Sequence, residues 1–90
     1  MTEQELMAFA KKSLRVASDT FDDEIQALIE SGKTDITQAT DKAFDITDSV
    51  QRNAVAVYCQ AYFGYGDDKA LARYKDMLIH IGLRKIGDEA

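Results

Sequence analysis

Apolar residues recur along this chain at spacings of three and four, and strict apolar–polar alternation is nearly absent. That periodicity belongs to helices buried along one side. No proline interrupts it. The pattern predicts an all-α fold, a small bundle of about four helices whose last two make a C-terminal helical hairpin.

The first helix is predicted over residues 3–15. Thr2 and Glu5 have the spacing of a capping box, in which hydroxyl and carboxylate each accept a free backbone N–H, and Leu6, Phe9, Ala10 and Leu14 then share a face. The second is predicted over residues 22–38, with Asp19 and Thr20 as candidate caps. Asp22, Asp23 and Glu24 fall in its first turn, where carboxylates complement the helix dipole, and Ile25, Leu28 and Ile29 form its buried stripe. Gly32 costs about 1 kcal/mol against alanine in a helix interior. The stripe nevertheless resumes at Ile36 and Ala39, so the helix is expected to run through the glycine.

Residues 40–47, "TDKAFDIT", hold no stable period and read as a loop pinned by Phe44 and Ile46. A third helix, residues 48–63, opens with Asp48 and Gln51 in another capping arrangement. Val50, Ala54, Val57, Tyr58 and Ala61 occupy one face, Val55, Cys59 and Tyr62 much of the next, so this helix should be central. Arg52, Asn53 and Gln60 mark its narrow polar side. In "AYFGYGDDKALARY" the helix ends at a glycine break. Gly64 can take the positive φ of a C-terminal cap, Gly66 permits a second sharp turn, and Asp67 or Asp68 caps the next helix, so Phe63, Gly64, Tyr65, Gly66 and Asp67 build a helix corner. The fourth helix is predicted over residues 67–81, on a stripe of Ala70, Leu71, Tyr74, Met77, Leu78 and Ile81, with Gly82 as its stop and residues 83–90 as a flexible tail.

A chain of 90 residues leaves no room for a second core, so residues 1–90 are read as one domain. Its 46% hydrophobic content is too high for disorder, yet no apolar run reaches the ~18 residues that span a bilayer. The N-terminus lacks a basic segment followed by an apolar stretch and does not read as a secretory signal; a soluble, cytosolic product with no membrane association is expected. The net charge of −5 is uneven: residues 1–48 hold 11 acids and 5 bases, residues 49–90 hold 5 and 6. That balance argues against a tight sequence-independent grip on nucleic acid, which needs clustered bases to displace counterions.

Candidate chemistry is sparse. Cys59 is the single cysteine and His80 the single histidine, and no metal-ligand spacing accompanies them. The two corner glycines lack the lysine and hydroxyl residue of a phosphate loop. Asp22, Asp23 and Glu24 are consecutive and point in different directions, so they do not make an acid–base pair. No catalytic residue, metal ligand or cofactor is expected, and the chain is not read as an enzyme. Tyr58, Tyr62, Phe63, Tyr65 and Tyr74 read as packing residues rather than a base-stacking platform, since such platforms sit in basic grooves.

Two segments together resemble a family. "AKKSLRVASDTFDDEIQALIESGKTDI", residues 10–36, and "VAVYCQAYFGYGDDKALARYKDMLIHIGL", residues 55–83, are similar to the two halves of the small head–tail connector (adaptor) proteins of tailed bacteriophages and prophages. Leu14-Arg15-Val16, Asp22-Asp23 and Phe63-Gly64-Tyr65 carry the likeness. The resemblance implies a structural subunit of the virion neck, made in the bacterial host cytoplasm. It implies a homo-oligomeric ring, twelvefold, that binds the portal protein above and the next neck or stopper protein below while DNA passes through without specific binding. A cyclic ring needs two complementary surfaces per chain. Asp22, Asp23 and Glu24 on one subunit are the expected mates of Arg52, Arg73 or Lys75 on its neighbour. The competing reading is a small helical DNA-binding or regulatory module cut from "YFGYGDDKALARYKDML"; its last helix offers Lys69, Arg73 and Lys75 amid aspartates, and no asparagine or glutamine.

Overall fold

The computed structural model describes the backbone of residues 1–41 and 43–89, with side chains up to Gly82. Four helices follow in order: α1 (Glu3–Leu14), α2 (Asp22–Thr40), α3 (Ser49–Tyr62) and α4 (Asp68–Glu89). Among the described residues there is no strand, and the all-α class read from the periodicity stands.

Local chemistry sets each start. The Thr2 side chain accepts from Glu5 N–H at 3.1 Å and Thr2 N–H donates to Glu5 Oε1 at 3.0 Å, closing the capping box. The N–H bond from Thr2 is the main reason the Glu5 carboxyl lies below its ordinary range. At α3, Asp48 Oδ1 accepts from Val50 N–H at 2.9 Å. Gln51 does not complete a box there: it is buried, and its Oε1 accepts Asp45 N–H at 2.8 Å, which ties the preceding loop to the helix. At α4, Asp67 Oδ1 accepts from Lys69 and Ala70 N–H at 2.9 and 3.2 Å.

The start of α2 departs from the sequence expectation. Neither Asp19 nor Thr20 caps it. Phe21 occupies the cap position and makes no side-chain cap bond, because the Asp19 carboxylate is drawn to Lys11 Nζ at 3.1 Å and the Thr20 hydroxyl to Ser18 at 2.7 Å. Helix α2 runs through Gly32 as expected, and two residues past the expected end, to Thr40.

The end of α4 is the larger correction. The helix passes through Gly82 and continues to Glu89, so the predicted stop and the extent of the expected tail are overturned. Gly82 is not among the positive-φ residues, and a Cβ there would meet nothing within 4 Å, so it has neither the geometry of a cap nor a packing need. The roughly 1 kcal/mol that a glycine costs in a helix interior is offset by the good helix formers Leu83, Arg84 and Lys85 after it. The side chains from Leu83 onward, and Ala90, lie outside the described residues.

Helix α3 packs against all three others, as its near-continuous apolar surface predicts. α2 also touches α1 and α4, whereas among the described residues α1 and α4 do not touch each other. Leu6, Ala10, Ile25, Ile29, Ile36, Ala54, Val55, Cys59, Ala70, Tyr74 and Ile81 are all buried in one cluster. Full burial of an aliphatic side chain such as Ile29 contributes about 1.5–3 kcal/mol. Gly32 has a packing reason: a Cβ there would meet Tyr58 Cδ1 at 3.1 Å, so the glycine lets the Tyr58 ring lie against the α2 backbone. Phe44 and Ile46 of the 40–47 loop are half-buried against the core. Lys33 Nζ lies 5.6 Å from the Phe44 ring centroid, and Arg52 Nη1 donates to Ile46 O at 3.0 Å.

Candidate functional site

The corner between α3 and α4 forms through backbone geometry. Gly64 and Gly66 have φ of +63° and +78°. Phe63 N–H donates to Cys59 O at 2.8 Å, Gly66 N–H to Phe63 O at 3.0 Å and Asp67 N–H to Ala61 O at 3.0 Å, which satisfies the carbonyls α3 leaves open. Gly66 has a second constraint, because a Cβ would sit 2.7 Å from Ala61 O. Phe63 is half-buried and meets Phe21 edge-on, ring centroids 5.5 Å apart. Tyr65 at the tip is fully exposed.

The residues expected to face a neighbour do not behave alike. Asp22 is engaged within its own chain, 2.8 Å from Lys11 Nζ. The Arg52 guanidinium is likewise committed to Ile46 O. Asp23 and Glu24 on α2, and Arg73 and Lys75 on α4, are exposed, and their side chains make no hydrogen bond or ion pair among the described residues. Of the six expected interface residues, these four are left unengaged by their own chain among the described residues.

The side chains with reactive groups are used internally. Cys59 is fully buried at the end of α3, and desolvation pushes its thiol from 9.0 to about 12, so it is not a nucleophile at neutral pH. His80 is exposed, with Nδ1 2.8 Å from Asp76 O one turn back on its own helix. Tyr74 is buried and its hydroxyl donates to Asp35 Oδ2; burial first, and that carboxylate second, raise its pKa. Tyr58 lies between Tyr74 and Tyr62, at centroid distances of 5.1 and 4.6 Å, and burial raises its pKa too. Tyr58 and Tyr74 are therefore packing residues, while Tyr62 and Tyr65 are exposed. Among the described residues no group of three His, Cys, Asp or Glu could hold a metal ion, and no helix is long and apolar enough to cross a membrane.

Two features escaped sequence reading. Phe21 is 44% exposed at the start of α2, where periodicity gives no signal because the residue precedes the first turn. Between α1 and α4 lies a groove of ≈ 370 Å³, lined by Phe9 and Ser13 of α1, Asn53, Ala56, Val57 and Gln60 of α3, and Arg73 and Met77 of α4. Gln60 Nε2 donates to Ser13 O at 3.1 Å across it. Asn53 and Gln60, read as the polar side of α3, line this groove; only their polarity in an otherwise apolar helix hinted at it. Compared with protein-family models, with curated proteins and with solved structures, the chain matches none.

Proposed function

We propose that this chain is a structural connector subunit of a tailed bacteriophage or prophage, assembling as a ring between the portal protein and the next neck protein around the path of the DNA. One observation carries the reading. The reactive side chains are turned inward or bonded to their own helix, while Asp23 and Glu24 of α2 and Arg73 and Lys75 of α4 are exposed and unengaged among the described residues. A molecule so arranged offers surfaces rather than reagents, and surfaces of opposite sign suit the heterologous contacts of a ring. The resemblance of residues 10–36 and 55–83 to head–tail connectors supplies the setting. The net charge of −5 suits a wall along which DNA slides without being held.

Sedimentation with the portal protein of the same phage or prophage tests it. Co-sedimentation as a ring visible by electron microscopy is the expected result, with no gel shift of duplex DNA at physiological salt. Failure to bind portal, together with tight and salt-dependent duplex binding, would replace it with the DNA-binding alternative.

A further inference from the structure

The groove between α1 and α4 exists because both helices pack on α3 without meeting each other among the described residues. Ala56 is buried beneath it, Phe9 and Met77 form its walls, and Arg73 is the one charged residue lining it among the described residues. That guanidinium has no partner among the described residues. An occupant with an apolar side chain to meet Phe9, Val57 and Met77 and a carboxylate close by to meet Arg73 suits this lining.

The chain itself carries such an edge elsewhere. Phe21 stands 44% exposed at the start of α2, followed within three residues by Asp23 and Glu24, both exposed and unengaged. The groove is lined by α1, α3 and α4, and no residue of α2 is among its lining. Knob and groove are thus on different faces of one molecule, and a chain cannot fill its own groove. A contact between such surfaces is head-to-tail and propagates from subunit to subunit.

We propose that the α1–α4 groove is a self-docking site that takes the Phe21–Glu24 edge of a second copy, with Phe21 against Phe9, Val57 and Met77 and the carboxylates of Asp23 and Glu24 facing Arg73. The inference rests on the connector reading for its biological setting and deepens it by naming the subunit contact. The groove is small beside the ~800 Å² per partner of a standard interface, so one contact in isolation is weak, and closure of a ring or seating on a platform multiplies it.

Sedimentation velocity of the full chain up to about 1 mM tests this, since a contact near Kd 1 mM half-saturates there. Wild type associates. R73E, which spoils the groove, and F21D, which spoils the knob, each stay monomeric, with association at least tenfold weaker. Mixing the two variants restores a 1:1 dimer that grows no further, because one good groove and one good knob remain. E24R keeps Phe21 in place, is weakened alone, and regains association when mixed with R73E. Circular dichroism confirms that each variant is helical. A wild type monomeric at about 1 mM, or variants that associate as well as wild type, would overturn the proposal. Portal-bound rings formed equally well by R73E and F21D would remove the groove and leave the connector reading; the mixed dimer without any portal binding would do the reverse.

Discussion

The joint between α1 and α2 and the corner between α3 and α4 perform the same turn by opposite means. At the first, Arg15 is forced to φ +59°, an αL conformation that costs a non-glycine residue roughly 1–2 kcal/mol. Arg15 and Val16 N–H close on Lys12 O and Lys11 O at 3.1 and 3.0 Å, and the rest of the link is held by Lys11 to Asp19 and Asp22. At the second, Gly64 and Gly66 take positive φ without that strain, and three backbone bonds and the Asp67 cap complete the turn. One joint leans on charge at the surface; the other leans on backbone freedom. The first should therefore respond to salt and tolerate substitution, and the second should do neither.

Cys59 lies beneath the corner and provides the readout, since a thiol pushed up to about 12 reacts with an alkylating reagent only when that end of α3 opens. Gly66→Ala is expected to have the largest effect, about 2–3 kcal/mol of destabilisation, because left-handed strain adds to the contact at 2.7 Å with Ala61 O. Thiol labelling should then accelerate roughly 30- to 150-fold. Gly64→Ala has the same sign of φ but open space around the Cβ, so it should cost only about 1 kcal/mol. If the two variants were equal, the close approach at Gly66 would not matter.

Arg15→Gly sharpens the contrast from the other side. It relieves the strain at the first joint and should stabilise by about 0.5–1 kcal/mol, net of the added freedom of the unfolded chain, read as a rise in the urea midpoint. Loss of stability would mean that the arginine side chain has a role the strain conceals.

Lys11→Met should have the smallest effect and the most telling salt dependence. Wild type loses stability between low and high salt in a thermal scan, and the variant loses less. The Lys11 pKa is raised by Asp22 first and Asp19 second. Its contribution is therefore whole below the ordinary lysine value of 10.5 and fades as pH rises through the higher folded value. The variant and wild type should converge at alkaline pH, and a gap that persists there would show that packing, not charge, holds this joint.

Much of the fold was legible because it is local. The Thr2–Glu5 box, the αL glycines and the Asp67 cap each depend on neighbours within a few residues, so spacing alone gives their place. The central position of α3 was legible too, since a helix apolar on most sides has nowhere else to go. The misplaced end of α4 has a physical origin. A glycine reads as a stop, yet at Gly32 it admits the Tyr58 ring and at Gly82 the helix passes it, and only the surroundings distinguish these from the corner. Asp19 fails as a cap because Lys11, eight residues earlier in the chain, takes its carboxylate.

The sequence by itself determined the helical class, the corner and the burial of the apolar stripes, because periodicity and capping are short-range physics. Only the tertiary structure decided which charges are engaged within the chain and which stand free. It also decided that α1 and α4 leave a groove over α3, because that depends on how helices distant in sequence lie against one another.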